Sequence, residues 1–172
     1  MENNLASEIL YFGIGNDESI LHFGACDSDV DIIRVLNDLE LDIQYTAVDV
    51  NEEKINNLFH NQEIPKRNHQ WISTQDSMQD FISNIDGERY HWTIITGLFD
   101  KIIYKDAHYP FIFTTLDECM KFSDNVIFSL KKYVNTDTVH NPSFIFEILV
   151  SKYGKVNLKK LENHTYLYCV TH

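Results

Sequence analysis

Four stretches of the sequence bring together residue types able to hold or act on a ligand. The first is His22-Phe23-Gly24-Ala25-Cys26-Asp27-Ser28-Asp29, a run of small residues ahead of a helix, where backbone can approach a bound molecule closely. About two dozen residues beyond Gly24, Asp49 follows Val48, the spacing at which an acid at a strand end accepts hydrogen bonds from both hydroxyls of a ribose. Gln75-Asp76-Ser77 supplies polar side chains suited to the edge of an adenine ring. Thr96-Gly97-Leu98-Phe99-Asp100 opens an irregular stretch, Lys101 to Tyr109, of the kind that carries substrate contacts. Each pattern also has a purely structural counterpart: Gly24 can serve a tight turn, and Asp49, Asn51, Asp76 or Ser77 can cap the helix that follows.

Charge narrows the choice of ligand. A dinucleotide lays its pyrophosphate on the first helix N-terminus, where the helix dipole and free amides receive anions. Asp27, Asp29 and Asp31 occupy that turn and would repel it. The sequence therefore favours a nucleoside that carries a sulfonium and an ammonium over NAD or ATP, although the same aspartates also stabilise a helix start. A formal charge of −12 disfavours binding to nucleic acid. Asp27 to Asp31 imitates the start of a calcium loop, but Ile32 stands where that loop needs Gly. The histidines show no HExxH spacing and Cys26, Cys119 and Cys169 lie far apart, so no metal is expected and the thiols are expected to be reduced. No apolar run is long enough to cross a bilayer, and Met1-Glu2-Asn3-Asn4 lacks the positive region of a secretory signal, so a cytoplasmic protein is the expectation.

The elements that must position these residues follow from the apolar pattern. Leu5 to Phe12 reads as a short helix, and residues 1–18 as a helix and lead-in. Strand then helix recurs: Ser19–Phe23 and Ser28–Leu39, Gln44–Asp49 and Glu52–His60, Gln70–Ile72 and Ser77–Ile85, His91–Thr96 and Pro110–Phe122, then strand Asn125–Leu130. Near-continuous apolar strands separated by helices call for a parallel sheet covered on both faces. Helix Ser143–Lys152 is followed by strands Lys155–Leu161 and Thr165–Val170, whose link Glu162-Asn163-His164 is short enough only for an antiparallel hairpin. The expected architecture is one α/β domain over 1–172, a doubly wound, mostly parallel sheet closed by that hairpin.

These residues resemble class I (Rossmann-like) S-adenosylmethionine-dependent methyltransferases from about Ser19 to Val170. Ile20-Leu21-His22-Phe23-Gly24-Ala25-Cys26 resembles the family's glycine-rich first motif, and Tyr45-Thr46-Ala47-Val48-Asp49-Val50-Asn51 its second, with Asp49 in the place of the ribose-binding acid. Ile94-Ile95-Thr96-Gly97-Leu98-Phe99-Asp100 is similar to the fourth-strand motif of small methyltransferase-like proteins of bacteriophages and environmental bacteria, as is the ending from Phe144 to Tyr168. The resemblance implies a seven-stranded sheet and cofactor contacts at Gly24, Cys26, Asp49, Asp76 and Thr96, with Phe23, Ala25, Val50, Ser77 and Gly97 beside them. His22 departs from the acid usual at the end of the first strand, and Cys26 and Ser28 depart from later glycines of that motif.

Methyl transfer from S-adenosylmethionine to a small-molecule or protein acceptor is the activity so implied. It depends on near-attack geometry, and needs a base only for a protonated acceptor. By position, Asp100, Tyr104, His108 and His140 are the catalytic candidates for that base. The alternatives are a non-catalytic methyltransferase-like subunit that binds another protein, and a lyase or cyclase using the same cofactor. His22 either borders the site or packs beneath its strand.

Overall fold

Runs rich in Ile, Val, Leu, Phe and Trp form inner strands buried on both faces, and amphipathic runs between them form helices that cover those faces, as a parallel sheet requires. The computed structural model describes residues 5–24, 27–60, 71–100, 109–131, 141–162 and 164–172, and of 27–30, 58–60 and 71–75 the backbone alone. In chain order these give α1 (Leu5–Leu10), β1 (Glu18–Phe23), α2 (Asp27–Asp38), β2 (Ile43–Asp49), α3 (Glu52–His60), β3 (Trp71–Gln75) and α4 (Met78–Asn84). There follow β4 (Tyr90–Ile95), α5 (Tyr109–Phe122), β5 (Ser123–Lys131), α6 (Pro142–Tyr153), β6 (Lys155–Lys160) and β7 (Thr165–Thr171).

The strands join in the order β3-β2-β1-β4-β5-β7-β6. β1 to β5 run parallel, and β7 lies antiparallel between β5 and β6. The α/β class, the parallel body and the C-terminal hairpin agree with the sequence reading. What the sequence left open is where the hairpin goes: β7 takes the inner place because Leu167, Tyr168, Cys169 and Val170 are buried, while β6, with Lys155, Asn157 and Lys160 exposed, lies at the edge.

Two differences from the expected boundaries have simple causes. β3 runs on through Ser73, Thr74 and Gln75, residues too polar to announce a strand, because an outer strand needs a ladder on one side only and finds it on Ala47, Val48 and Asp49. β5 begins directly where α5 ends, because Ser123 is buried and its hydroxyl meets that of Thr93 at 2.5 Å.

The sheet separates two cores. On one face Ala6 and Ile9 of α1, Ile32, Ile33 and Leu36 of α2 and Ile55 of α3 cover Ile20, Tyr45, Ala47, Ile94 and Ile127. On the other, Met78 of α4, Ile112, Leu116 and Cys119 of α5 and Ile145 and Leu149 of α6 cover Leu21, Phe23, Val48, Phe128 and Tyr168. Among the described residues, no helix is long and apolar enough to cross a membrane.

Phe128 is fully buried at the centre of the second core, stacked on Tyr168 with ring centroids 4.9 Å apart and edge-on to Phe99 at 5.5 Å. Phe128→Ala is expected to cost about 3–5 kcal/mol of stability, read from urea unfolding, because the ring leaves a cavity that its neighbours close only in part. A loss below ~1 kcal/mol would contradict this packing.

Candidate functional site

The parallel register brings the carboxyl ends of three strands level. Phe23 pairs with Val48, and Val48 with Thr74. The ladder then runs one step further, with Gly24 N–H donating to Val48 O at 3.0 Å and Asp76 N–H to Asp49 O at 3.0 Å. Gly24, Asp49 and Asp76 thus stand side by side at the mouth of one cavity of about 360 Å³, lined also by Phe23, Val48, Val50, Asn51, Lys54, Ser77, Met78, Gln79 and Leu98. That volume is within the range of small-molecule sites, about 300–1,000 Å³.

Gly24 is required there twice over. Its φ is +86°, and a Cβ would lie 2.7 Å from the carbonyl oxygen of Thr96 and 3.2 Å from Cγ of Leu98. The first strand's end is therefore in backbone contact with the turn after β4.

The capping alternatives divide cleanly. Asn51 caps α3, its Oδ1 accepting from Lys54 N–H at 3.1 Å. Asp49 is not the cap: its Oδ1 accepts from Asn51 N–H at 2.8 Å, which fixes the carboxylate at the cavity rim. Ser77 caps α4 by accepting from Asp80 N–H at 3.1 Å and donating to Asp80 Oδ2 at 2.6 Å, a reciprocal arrangement that holds it still at the cavity wall. Asp76 Oδ1 accepts from Ser77 N–H at 2.8 Å.

Of the residues picked from sequence, Phe23, Gly24, Asp49, Val50, Asp76 and Ser77 line this cavity. Thr96 and Gly97 do not line it but brace its far side. Thr96 Oγ1 meets His22 Nε2 at 2.8 Å, and Gly97 N–H donates to Ser129 Oγ at 3.3 Å. Asp100 accepts from Lys131 N–H at 2.5 Å, joining the ends of β4 and β5. Ala25, Cys26, Tyr104, His108 and His140 lie outside the described residues. His22 is fully buried and its other ring nitrogen meets the Tyr45 hydroxyl at 2.7 Å, so it packs within the sheet rather than facing solvent.

Leu98, Lys54, Met78 and Gln79 were not picked from sequence. Lys54 and Met78 each sit within the first turn of a helix that follows a marked strand end, which is the one signal that could have pointed to them. Among the described residues, the lining holds two carboxylates, Asp49 and Asp76, and one cation, Lys54. Among the described residues, no group of His, Cys, Asp and Glu is placed to hold a metal ion.

No family model and no curated protein matches the chain. Solved structures do. The bifunctional kinase-methyltransferase WbdD superposes with a TM-score of 0.67 at 15% identity, over 98% of this chain and 37% of that one. The 16S rRNA methylase ArmA gives 0.62 at 18%, over 98% and 82%, and a SAM-dependent methyltransferase from Aquifex aeolicus gives 0.63 at 12%, over 96% and 88%. The chain has a methyltransferase-like fold. It thus spans less than half of WbdD, and 50% of the citrinin polyketide synthase CMeT domain, which it also resembles.

Gly24→Ala is expected to lower stability by more than ~1 kcal/mol in urea unfolding, since the substitution meets both the positive φ and the Thr96 carbonyl. A neutral result would mean that the β1 and β4 ends are not in contact. A second expectation concerns pH. Burial pushes the Asp100 carboxyl above its ordinary 3.8, against the opposing pull of the Lys131 N–H and ammonium. The folded state then keeps this proton where the unfolded chain has released it, so ionisation of Asp100 weakens folding as pH rises above 3.8. Asp100→Asn, which keeps an acceptor for Lys131, should gain stability relative to the parent protein over that rise. Unfolding curves whose difference stays flat with pH would contradict this.

Proposed function

We propose that the chain is an S-adenosylmethionine-dependent methyltransferase acting on a small-molecule or protein acceptor, with the nucleoside held at the ends of β1, β2 and β3. The observation that carries this reading is the placement of Gly24 and Asp49 on adjacent parallel strands at the rim of a nucleoside-sized cavity. The donor set fits the cofactor. Asp49 offers a fixed carboxylate for the two ribose hydroxyls, Asp76 and Ser77 offer polar groups to the adenine edge, and Val50 and Met78 offer apolar surface to the ring faces. Two carboxylates against one lysine suit a cationic ligand without phosphate better than a nucleotide.

When bound, S-adenosylmethionine supplies a methyl group on a sulfonium, which is open to attack by a nucleophile. The chain's own contribution is to orient and to enclose. Asp49 and Gly24 would hold the nucleoside, and Leu98, which lines the same cavity, would help to exclude water from it. Asp100, Tyr104, His108 and His140 remain the candidates for a base where the acceptor is protonated. With a formal charge of −12, the acceptor proposed is not a nucleic acid, in contrast to that named for the 16S rRNA methylase.

One observation favours a second reading, a non-catalytic subunit that keeps the fold: both ring nitrogens of His22, which stands where the resemblance places an acid, are engaged by hydroxyls. Calorimetry separates the two. The proposed enzyme binds S-adenosylmethionine and S-adenosylhomocysteine at micromolar concentration, and Asp49→Ala weakens that binding by about 1–3 kcal/mol, the scale of hydrogen bonds to a charged group. Absence of binding at millimolar ligand would sink the first reading, and an unaffected Asp49→Ala would sink the placement of the ribose. A lyase or cyclase would reveal itself by cofactor breakdown without an acceptor.

A further inference from the structure

His22 is fully buried, and its ring is the centre of a tie across three strands. From β1, Nδ1 meets the Tyr45 hydroxyl of β2 at 2.7 Å and Nε2 meets Oγ1 of Thr96, at the end of β4, at 2.8 Å. Tyr45 and Thr96 are themselves buried, and the two hydroxyls either donate or accept, so one imidazole tautomer or the other satisfies both contacts. The tie runs diagonally. His22 is level with Ala47 and Ile94, whereas its partners sit two residues lower on β2 and two higher on β4.

The upper partner matters most. The Thr96 carbonyl is the atom that a Cβ on Gly24 would strike at 2.7 Å, and Leu98, two residues on, touches the same position and lines the cavity. The Thr96 N–H reaches Phe23 O only at 3.5 Å, so the backbone ladder holds this junction loosely. The short side-chain bond from His22 closes it, and Ser129 fixes the next residue by accepting from Gly97 N–H. We infer that His22 is a positioning residue: through Thr96 it sets the gap between the Gly24 turn and the Thr96–Leu98 segment, and so the width of the nucleoside cavity. This rests on the binding reading above for its ligand, but not for its geometry.

Side-chain length separates this role from mere space filling. A glutamine places its amide near Nε2 and can keep the Thr96 arm, whereas an asparagine places it near Nδ1 and can keep only the Tyr45 arm. The test uses His22→Gln, His22→Asn, Thr96→Val and the His22→Asn/Thr96→Val double variant in the full chain. Two readouts are taken: calorimetric affinity for S-adenosylhomocysteine, and amide hydrogen exchange at Gly24, Gly97 and Leu98 without ligand. His22→Gln is expected to stay within about threefold of the parent affinity. His22→Asn and Thr96→Val should each lose roughly tenfold, the scale of one buried hydrogen bond, with the double variant no worse than either single one. Exchange at Gly97 and Leu98 should quicken in the Asn and Val variants but not in the Gln variant.

Equal affinities and equal exchange in all folded variants would overturn the inference. So would additive losses, which would mean that His22 does not act through Thr96. If the parent protein binds no S-adenosylhomocysteine, the proposed function fails, and the exchange pattern alone decides whether His22 holds the segment. If a variant does not fold, Thr96→Val, which changes no volume to speak of, decides by the same two readouts.

Discussion

The site depends on one close approach, that of the Gly24 turn to the carbonyl of Thr96. Two parallel strands that end level would ordinarily diverge into their own loops. Here a residue without a Cβ lets the end of β1 press against the backbone leaving β4, at a distance no side chain would tolerate. β1 and β4 are the neighbours at which the sheet turns from one winding direction to the other, and the cavity opens beside this junction, at the ends of β1, β2 and β3. The backbone contact and the His22 tie below it hold the β4 side, while the Gly24 to Val48 and Asp76 to Asp49 bonds hold the β2 and β3 side.

Around that junction the polar groups are immobilised locally rather than by long-range pairs. Asp49 is held by the amide two residues on, Asp76 by the next amide, and Ser77 by its exchange of bonds with Asp80. Each is a short-range turn or cap, so the groups that face the cavity are fixed by the turns that lead into α3 and α4. Pre-organisation of this kind removes side-chain ordering from the cost of binding. Asp100 is held differently, by an amide of the neighbouring strand in a partly buried setting, and this environment raises its proton affinity.

The alternation of apolar strands with helical runs was legible because period and run length are local properties. It placed most elements within two residues of where they stand. The polar half of β3 was not legible, since its pairing with Ala47, Val48 and Asp49 is a property of the neighbour strand and not of Ser73, Thr74 and Gln75. The site was legible in part for the same reason. Gly24, Asp49, Asp76 and Ser77 stand at strand ends that any reading of the pattern would mark. Leu98 packs against the space that Gly24 leaves free and lines the cavity there, a contact between residues far apart in sequence.

By itself the sequence determined the α/β class, the parallel body, the terminal hairpin and the residues that stand at the strand ends, because each follows from spacing along the chain and from turn chemistry. It also set the formal charge of −12. The tertiary structure decided which of those ends meet. It put β7 inside and β6 outside, gave the cap of α3 to Asn51 and left Asp49 at the rim, and took His22 out of the cavity into a tie between Tyr45 and Thr96. These are choices between partners far apart in sequence, made by packing and by which polar groups are buried together, and no local pattern encodes them.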